Sequence, residues 1–274
     1  MDQILQAIVM GVVQGLTEFL PISSSGHLIV VPYLFGWDSP LITSLAFSVV
    51  LHGGTLLALL VYFRADWIRL VPAGLAALRD RSLKNDPDRR LAWLLVASTV
   101  PAAIVAVLLN DIFEENIRQA GIVAILMIIG GAILWAADRW GPRSTSIGKL
   151  TFGAAIGIGA AQALALAPGI SRSGISMSAA RLLGLDRTDA VRYSFLMATP
   201  ITALAVAYEL LKLVKGEVGG ADAGTLVAGV AAAFVSGLLA ITVLLRYVRT
   251  RSFNVFVIYR IALAAVVVVA FLSR

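Results

Sequence analysis

The chain has 274 residues, 59% hydrophobic and 14% charged, with a mean hydropathy of +0.90, a formal net charge of +6 and no cysteine. A soluble globular chain is about 45–50% apolar and about 25% charged, so an ordinary soluble enzyme is excluded, as is intrinsic disorder, which needs low hydrophobicity. Without cysteine there is no disulfide framework, thiolate zinc site or thiol nucleophile, and the +6 charge has to be placed along the chain before it is read as a partner signal.

A helix that crosses a bilayer needs about 20 mostly apolar residues. The first apolar stretch, 3–35, follows a start with no basic n-region, so it reads as a retained segment rather than a removable signal. It is broken at Phe19-Leu20-Pro21-Ile22-Ser23-Ser24-Ser25-Gly26-His27. Pro, Gly and Ser end helices and fit turns, leaving two halves each too short to span. Spanning runs follow at 41–63, 92–109 and 119–138. A second broken stretch, 150–184, is interrupted at Ala167-Pro168-Gly169-Ile170-Ser171-Arg172-Ser173-Gly174. Three more spanning runs lie at 190–211, 224–245 and 253–272. Backbone cannot lie unpaired in lipid, so the two breaks must be buried in protein or line a polar cavity.

The two broken stretches are copies of one another. At a constant offset of 148, Gly11 matches Gly159, Gln14 matches Gln162, Ser23 matches Ser171, Ser25 matches Ser173, Gly26 matches Gly174, Gly36 matches Gly184 and Asp38 matches Asp186. Chance similarity between apolar segments would not select Gln, Asp and a Ser-x-Ser-Gly core. Such an internal repeat fixes the architecture.

The basic residues then orient the chain. Sixteen of the 22 fall in four connections: Arg64, Arg69, Arg79, Arg81, Lys84, Arg89 and Arg90; Arg139, Arg143 and Lys149; Arg181, Arg187 and Arg192; Arg246, Arg249 and Arg251. By contrast, 110–118 carries Asp111, Glu114 and Glu115 against Arg118, while Lys212 and Lys215 flank one segment and Arg274 ends the chain. The positive-inside rule places the four basic connections in the cytoplasm. The first hairpin then dips in from outside and the second from inside. The expected fold is an all-α polytopic membrane protein, a single integral membrane domain over 1–274, in which an inverted-topology repeat (1–138 and 150–274) supplies six spanning helices plus two re-entrant helical hairpins. Inverted repeats with broken helices build sites near the midplane. The charge is spent on orientation, and nucleic-acid binding falls away.

Four ionisable residues are left that connections do not explain: Glu18, His27, Arg172 and Arg260. Charge is costly in a membrane, so each is a functional candidate. Gln14 and Glu18 share a helix face four residues apart, a carboxylate and an amide oxygen able to hold Mg²⁺ or Ca²⁺. Ser23, Ser24, Ser25 and Gly26 open a helix, as do Ser171, Arg172, Ser173 and Gly174, and hydroxyls at a helix start favour anions such as phosphate; an ordinary serine cap is the competing reading. Three residues after Ser24, His27 can act as base, acid or nucleophile, or be a satisfied core group. Arg172 suits bidentate phosphate binding. Arg260 is either a second phosphate clamp or a snorkelling side chain. His52 and Glu209 read as structural. The set suits a phosphate or diphosphate on a lipid-tailed substrate, and phosphoryl transfer is chiefly positioning and charge neutralisation. A flippase or transporter of phosphorylated lipid is the alternative, suggested by the inverted repeat; a scaffold leaves Glu18 and Arg172 unexplained.

The stretch Gln14-Gly15-Leu16-Thr17-Glu18-Phe19-Leu20-Pro21-Ile22-Ser23-Ser24-Ser25-Gly26-His27 resembles the (E/Q)xxxE and SSxGH signature of bacterial undecaprenyl-diphosphate phosphatases of the bacitracin-resistance type, and Pro168-Gly169-Ile170-Ser171-Arg172-Ser173-Gly174 resembles their PGxSRS motif. The run Ser194–Pro200 and Tyr259-Arg260 fit as well. The resemblance spans nearly the whole chain. It implies hydrolysis of undecaprenyl diphosphate to the monophosphate at the outer face of the bacterial inner membrane, which recycles the lipid carrier for peptidoglycan and confers bacitracin resistance. It implies a metal site at Gln14 and Glu18 with Mg²⁺ or Ca²⁺, Ser24 or His27 as nucleophile or its activator, Arg172 as diphosphate clamp, and substrate contacts from Ser23, Ser25, Gly26, Ser171, Ser173, Gly174, Ser176 and Arg260. Gln14 stands where the family often has Glu, leaving Glu18 as the one carboxylate of that pair; Ser25 and Ser176 stand where some members carry Thr. The expected partners are the polyprenyl diphosphate lipid and the bilayer, with no nucleic acid; a homodimer is left open.

Overall fold

Eleven α-helices and two short 3₁₀ turns, at Ile147–Lys149 and Leu164–Leu166, make up the regular structure of the described residues. The computed structural model describes residues 2–83, 86–116, 119–214 and 222–273, without the side chains of 109–116 and 212–214. Of the charges read from the sequence, Lys84, Arg118, Lys215 and Arg274, and the side chains of Asp111, Glu114, Glu115 and Lys212, lie outside that description. The helices are α1 (Gln3–Phe19), α2 (Ser24–Phe35), α3 (Leu45–Tyr62), α4 (Arg64–Asp80), α5 (Pro87–Asn116), α6 (Ala120–Trp140), α7 (Phe152–Ala163), α8 (Arg172–Leu182), α9 (Arg187–Val214), α10 (Ala223–Tyr247) and α11 (Asn254–Leu272). Among the described residues there is no strand, only an isolated bridge between Thr145 and Leu185.

Six helices are long and apolar enough to cross a membrane: α3, the Pro87–Leu108 part of α5, α6, the Arg187–Leu211 part of α9, α10 and α11. They match the six runs expected from the sequence, and the protein is a multi-pass membrane protein. α5 begins five residues earlier than expected because Pro87 starts it; proline fits the first helical turn, whose N–H groups have no helical partner.

Helices α2, α7 and α8 have 12, 12 and 11 residues. At 1.5 Å per residue each covers about 18 Å, against a hydrocarbon core of about 30 Å. The two breaks share unusual backbone geometry. Ser23 and Ser171, matched in the repeat, both adopt positive φ (75° and 78°), and each caps the next helix, with Oγ accepting from the N–H of Gly26 (3.3 Å) or Gly174 (3.1 Å). Gly36 and Gly184, also matched, both have positive φ where their helices end.

Packing exchanges elements between the halves. α10 lies against α1 and α3, while α5 lies against α7 and α9; α6 packs on α8 and α11 on α2; α3 meets α9, and α6 meets α11. Each pairing thus has a counterpart in the other half. Phe19, Phe63 and Phe195 form edge-on aromatic contacts within the largest buried cluster.

One segment differs from expectation. Residues 64–91 read as a basic connection, yet 64–80 form α4. Its apolar side chains Ile68, Val71, Leu75 and Leu78 recur at helical spacing between the arginines and are exposed. A search for long apolar runs passes over such an amphipathic pattern.

A Cβ at Gly159 would overlap the Ser98 carbonyl where α7 meets α5, whereas one at Gly121 would meet nothing within 4 Å. Gly159→Ala should therefore separate the two helices and cost about 1–3 kcal/mol. Thermal unfolding of the detergent-solubilised protein should show a midpoint several degrees lower for Gly159→Ala and no such drop for Gly121→Ala.

Candidate functional site

The two helix breaks touch one another through both backbone and side chains. Gly169 N–H donates to Ser23 Oγ (3.1 Å), and Ser173 Oγ donates to the Leu20 carbonyl (3.2 Å). Arg260, fully buried on α11, ties them further. Its Nη1 donates to the Pro21 carbonyl (3.2 Å), Nη2 to the carbonyls of Gly169 (2.6 Å) and Ile170 (3.0 Å), and Nε to that of Met127 on α6 (2.8 Å). Turn carbonyls buried without a donor each cost about 1–3 kcal/mol, so one guanidinium with five donors stabilises two turns at once.

Against this frame lies a polar cluster centred on Glu18, near the end of α1. Its side chain is 5% exposed. Arg172 Nη2, from the first turn of α8, donates to Oε1. Ser24 Oγ, from the first turn of α2, donates to Oε2 at 2.5 Å, and Gln14 Nε2 donates to the same oxygen at 3.0 Å. His52 Nε2 on α3 is 3.4 Å from Oε2, while its Nδ1 lies 2.7 Å from the Ser48 carbonyl. Arg172 also donates to Thr202 Oγ1 on α9 (2.6 Å). Glu18 is thus a shared acceptor for groups from four helices. The outer members, Ser24, Arg172 (side chain 23% exposed) and His52 (22%), are partly open, as is the neighbouring Ser25.

The sequence candidates divide accordingly. Gln14, Glu18, Ser24 and Arg172 lie together around the Glu18 carboxylate. Ser23, Ser171 and Ser173 are buried and occupied by caps and by contacts between the breaks, with Ser25 Oγ 3.4 Å from Ser23 Oγ. Gly26 and Gly174 donate backbone N–H groups to those caps. Ser176 is fully buried and bonds to the Arg172 carbonyl (2.7 Å) and Ser194 Oγ (2.6 Å). Arg260 serves backbone carbonyls. His27, although three residues after Ser24, faces elsewhere: its Nδ1 donates to the Ser23 carbonyl (2.7 Å), which leaves Nε2 to accept from Tyr259 O–H (2.8 Å), and the two rings stack.

His52 and Thr202 were not anticipated as members of the cluster. His52 is the lone acidic or basic residue of the 41–63 run, and the rule that singled out Glu18 applies to it equally. Thr202 had no such signal, since a threonine inside an apolar helix more often bonds its own turn.

A hard cation calls for oxygen donors. Gln14 Oε1 is a buried oxygen with no hydrogen-bond partner, one helical turn from Glu18. Among the described residues no three His, Cys, Asp or Glu side chains group together. Gln14 Oε1 and the Glu18 carboxylate are thus the oxygens this cluster offers a cation, with the carboxylate already accepting from Arg172, Ser24 and Gln14 Nε2.

The family model described as "Bacitracin resistance protein BacA" matches residues 7–266. The chain belongs to this family. It is 48% identical over 269 residues to the undecaprenyl-diphosphatase of Gemmatimonas aurantiaca, covering 98% of both chains. It is 46% identical over 269 residues to that of Desulforudis audaxviator, again covering 98% of both, and 43% identical to that of a Nocardioides species, covering 98% of this chain and 97% of the relative.

Arg260→Ala would leave the turn carbonyls of Pro21, Gly169 and Ile170 without this donor, and Arg260→Lys offers a single ammonium where two forked nitrogens and Nε now reach both turns and α6. Size-exclusion profiles in detergent should show a marked loss of monodisperse protein for Arg260→Ala and little recovery in Arg260→Lys.

Proposed function

We infer that this chain is a membrane-embedded hydrolase that converts undecaprenyl diphosphate to undecaprenyl phosphate and phosphate. The observation that carries the reading is the Ser24–Glu18–Arg172 constellation, in a chain nearly half identical over its whole length to named undecaprenyl-diphosphatases. A protein that only moves phosphorylated lipid across the bilayer has no use for a hydroxyl held 2.5 Å from a carboxylate, so the flippase reading is not favoured.

Arg172 is set at a helix start, where backbone N–H groups and the helix dipole also favour anions. Diphosphate seated there takes donors from Arg172 and from the hydroxyls of Ser24 and Ser25. Glu18 accepts the Ser24 proton as Ser24 Oγ attacks the terminal phosphorus. The bond to the bridging oxygen breaks, and undecaprenyl phosphate leaves with the bridging oxygen. Glu18 passes the Ser24 proton to solvent; water then attacks the phosphoserine, one of its protons moving through Glu18 to Ser24 Oγ as the phosphorus–Oγ bond breaks and phosphate leaves. Water attack without the serine intermediate is the competing route. Glu18 and Gln14 would hold Mg²⁺ or Ca²⁺, whose chemistry is to neutralise developing charge on the phosphate oxygens. His27 braces the first turn through the Ser23 carbonyl.

The inverted repeat of 1–138 and 150–274, with α1–α2 and α7–α8 as re-entrant hairpins, is supported by the 148-residue offset, the matched positive-φ serines and the reciprocal helix pairings. With the arginine-rich connections in the cytoplasm, the site opens to the periplasmic face of the bacterial inner membrane. There the enzyme recycles the peptidoglycan lipid carrier and confers bacitracin resistance.

Purified protein should release phosphate from undecaprenyl diphosphate, and chelation of divalent cations should abolish the release. Glu18→Gln and Arg172→Ala should each lower the rate by about 10²–10³, the range for losing a base or a charge-stabilising donor. Ser176→Ala, which alters a side chain turned towards Ser194, should stay within about threefold of the wild type. Near-full activity in Arg172→Ala would contradict the reading.

A further inference from the structure

A groove between α4 and α5 takes no part in the site around Glu18. It consists of two adjoining cavities. The first, about 300 Å³, is lined by Trp67, Leu70, Leu75, Leu95 and Pro200 among others. The second, about 340 Å³, shares Leu78 and Trp93 with the first and ends at Arg81, Ser82 and Phe152. The groove is therefore apolar along its length and basic at one end. Trp93 Nε1 donates to the Gly74 carbonyl (3.2 Å), which closes its floor between the two helices.

The surroundings give it a direction. On one flank α4 exposes Ile68, Val71, Leu75 and Leu78, a stripe with the spacing of a helix lying in a membrane interface. The arginines of this region are not equivalent. Arg69 is held by Asp66 and Asp88, and Arg89 by Asp80 and Asp86. Arg79 and Arg81, exposed at the end of α4, have no acidic partner among the described residues. A groove for a hydrocarbon chain thus ends at the Arg81 guanidinium, with Arg79 exposed two residues before it on α4. Guanidinium binds phosphate bidentately, and arginines at a membrane surface attract anionic lipid.

We propose that this groove binds one anionic glycerophospholipid of the surrounding bilayer, an acyl chain lying along α4 and α5 and the headgroup phosphate on Arg81 and Arg79. The apolar walls alone would accept any lipid. The two arginines select net negative charge, and the lipid fastens α4 to α5 where Leu78 and Trp93 line both cavities. The inference rests on the membrane character of the chain and not on its hydrolase activity.

The test is native mass spectrometry of the full-length protein, released from detergent containing equal amounts of phosphatidylglycerol and phosphatidylcholine. One phosphatidylglycerol per chain should be retained in preference to phosphatidylcholine. The double variant Arg79→Gln, Arg81→Gln should retain about thirtyfold less, in line with two lost headgroup contacts. Leu75→Trp, at an exposed position that fills the groove, should reduce retention of either lipid while eluting as a folded protein. Equal retention of the two lipids, unchanged phosphatidylglycerol in the arginine variant or in Leu75→Trp, or a second protein chain in place of lipid would each overturn the proposal.

Discussion

A carboxylate buried among apolar helices has to be matched by donors, and the arrangement of this protein follows from how Glu18 is matched. Its two oxygens collect a guanidinium from α8, a hydroxyl from α2 and an amide from its own α1, with an imidazole of α3 close by. Desolvating a charge is expensive enough that such a group persists only where its partners are held in position. The partners come from both halves of the chain, so the fold must bring two separate helix breaks within a side chain's length of each other. The fixed frame around the cluster answers that requirement.

Arg260 supplies much of the frame. A broken helix in a membrane exposes carbonyls that lipid cannot satisfy. Here one arginine donates to carbonyls of both turns and of α6, and the capping serines at positive φ direct the chain into α2 and α8. A non-glycine residue in that conformation costs about 1–3 kcal/mol, offset by the two caps and by the bond from Gly169 to Ser23. The same strained turns set Ser24 and Arg172 at the first residue of their helices, where anion-favouring backbone is nearest.

Much of this was legible in the sequence, for identifiable reasons. Spanning helices show as long apolar runs because lipid tolerates little else, and the breaks show because Pro, Gly and Ser cannot continue such runs. The matched Gln14/Gln162 and Ser23/Ser171 pairs tie the two breaks together in the sequence itself. Other features depend on contacts that no local pattern carries. His52 and Thr202 matter through partners 34 and 30 residues away or on other helices. Arg260 stood out as a buried charge, but whether an arginine meets phosphate or carbonyls depends on what lies opposite it. Ser24 opens α2 and Ser176 lies in the second turn of α8; one turns towards Glu18 and the other towards Ser194. α4 was hidden because its apolar residues alternate with arginines.

The central claim is that Glu18 and Arg172, from opposite halves of the chain, act as one unit on the diphosphate. A double-mutant cycle on phosphate release from undecaprenyl diphosphate tests it most directly, using Glu18→Asp and Arg172→Lys so that both charges are kept and only their mutual reach is altered. The account predicts strong coupling, with the double variant little slower than the worse single variant. Losses that multiply independently would contradict it.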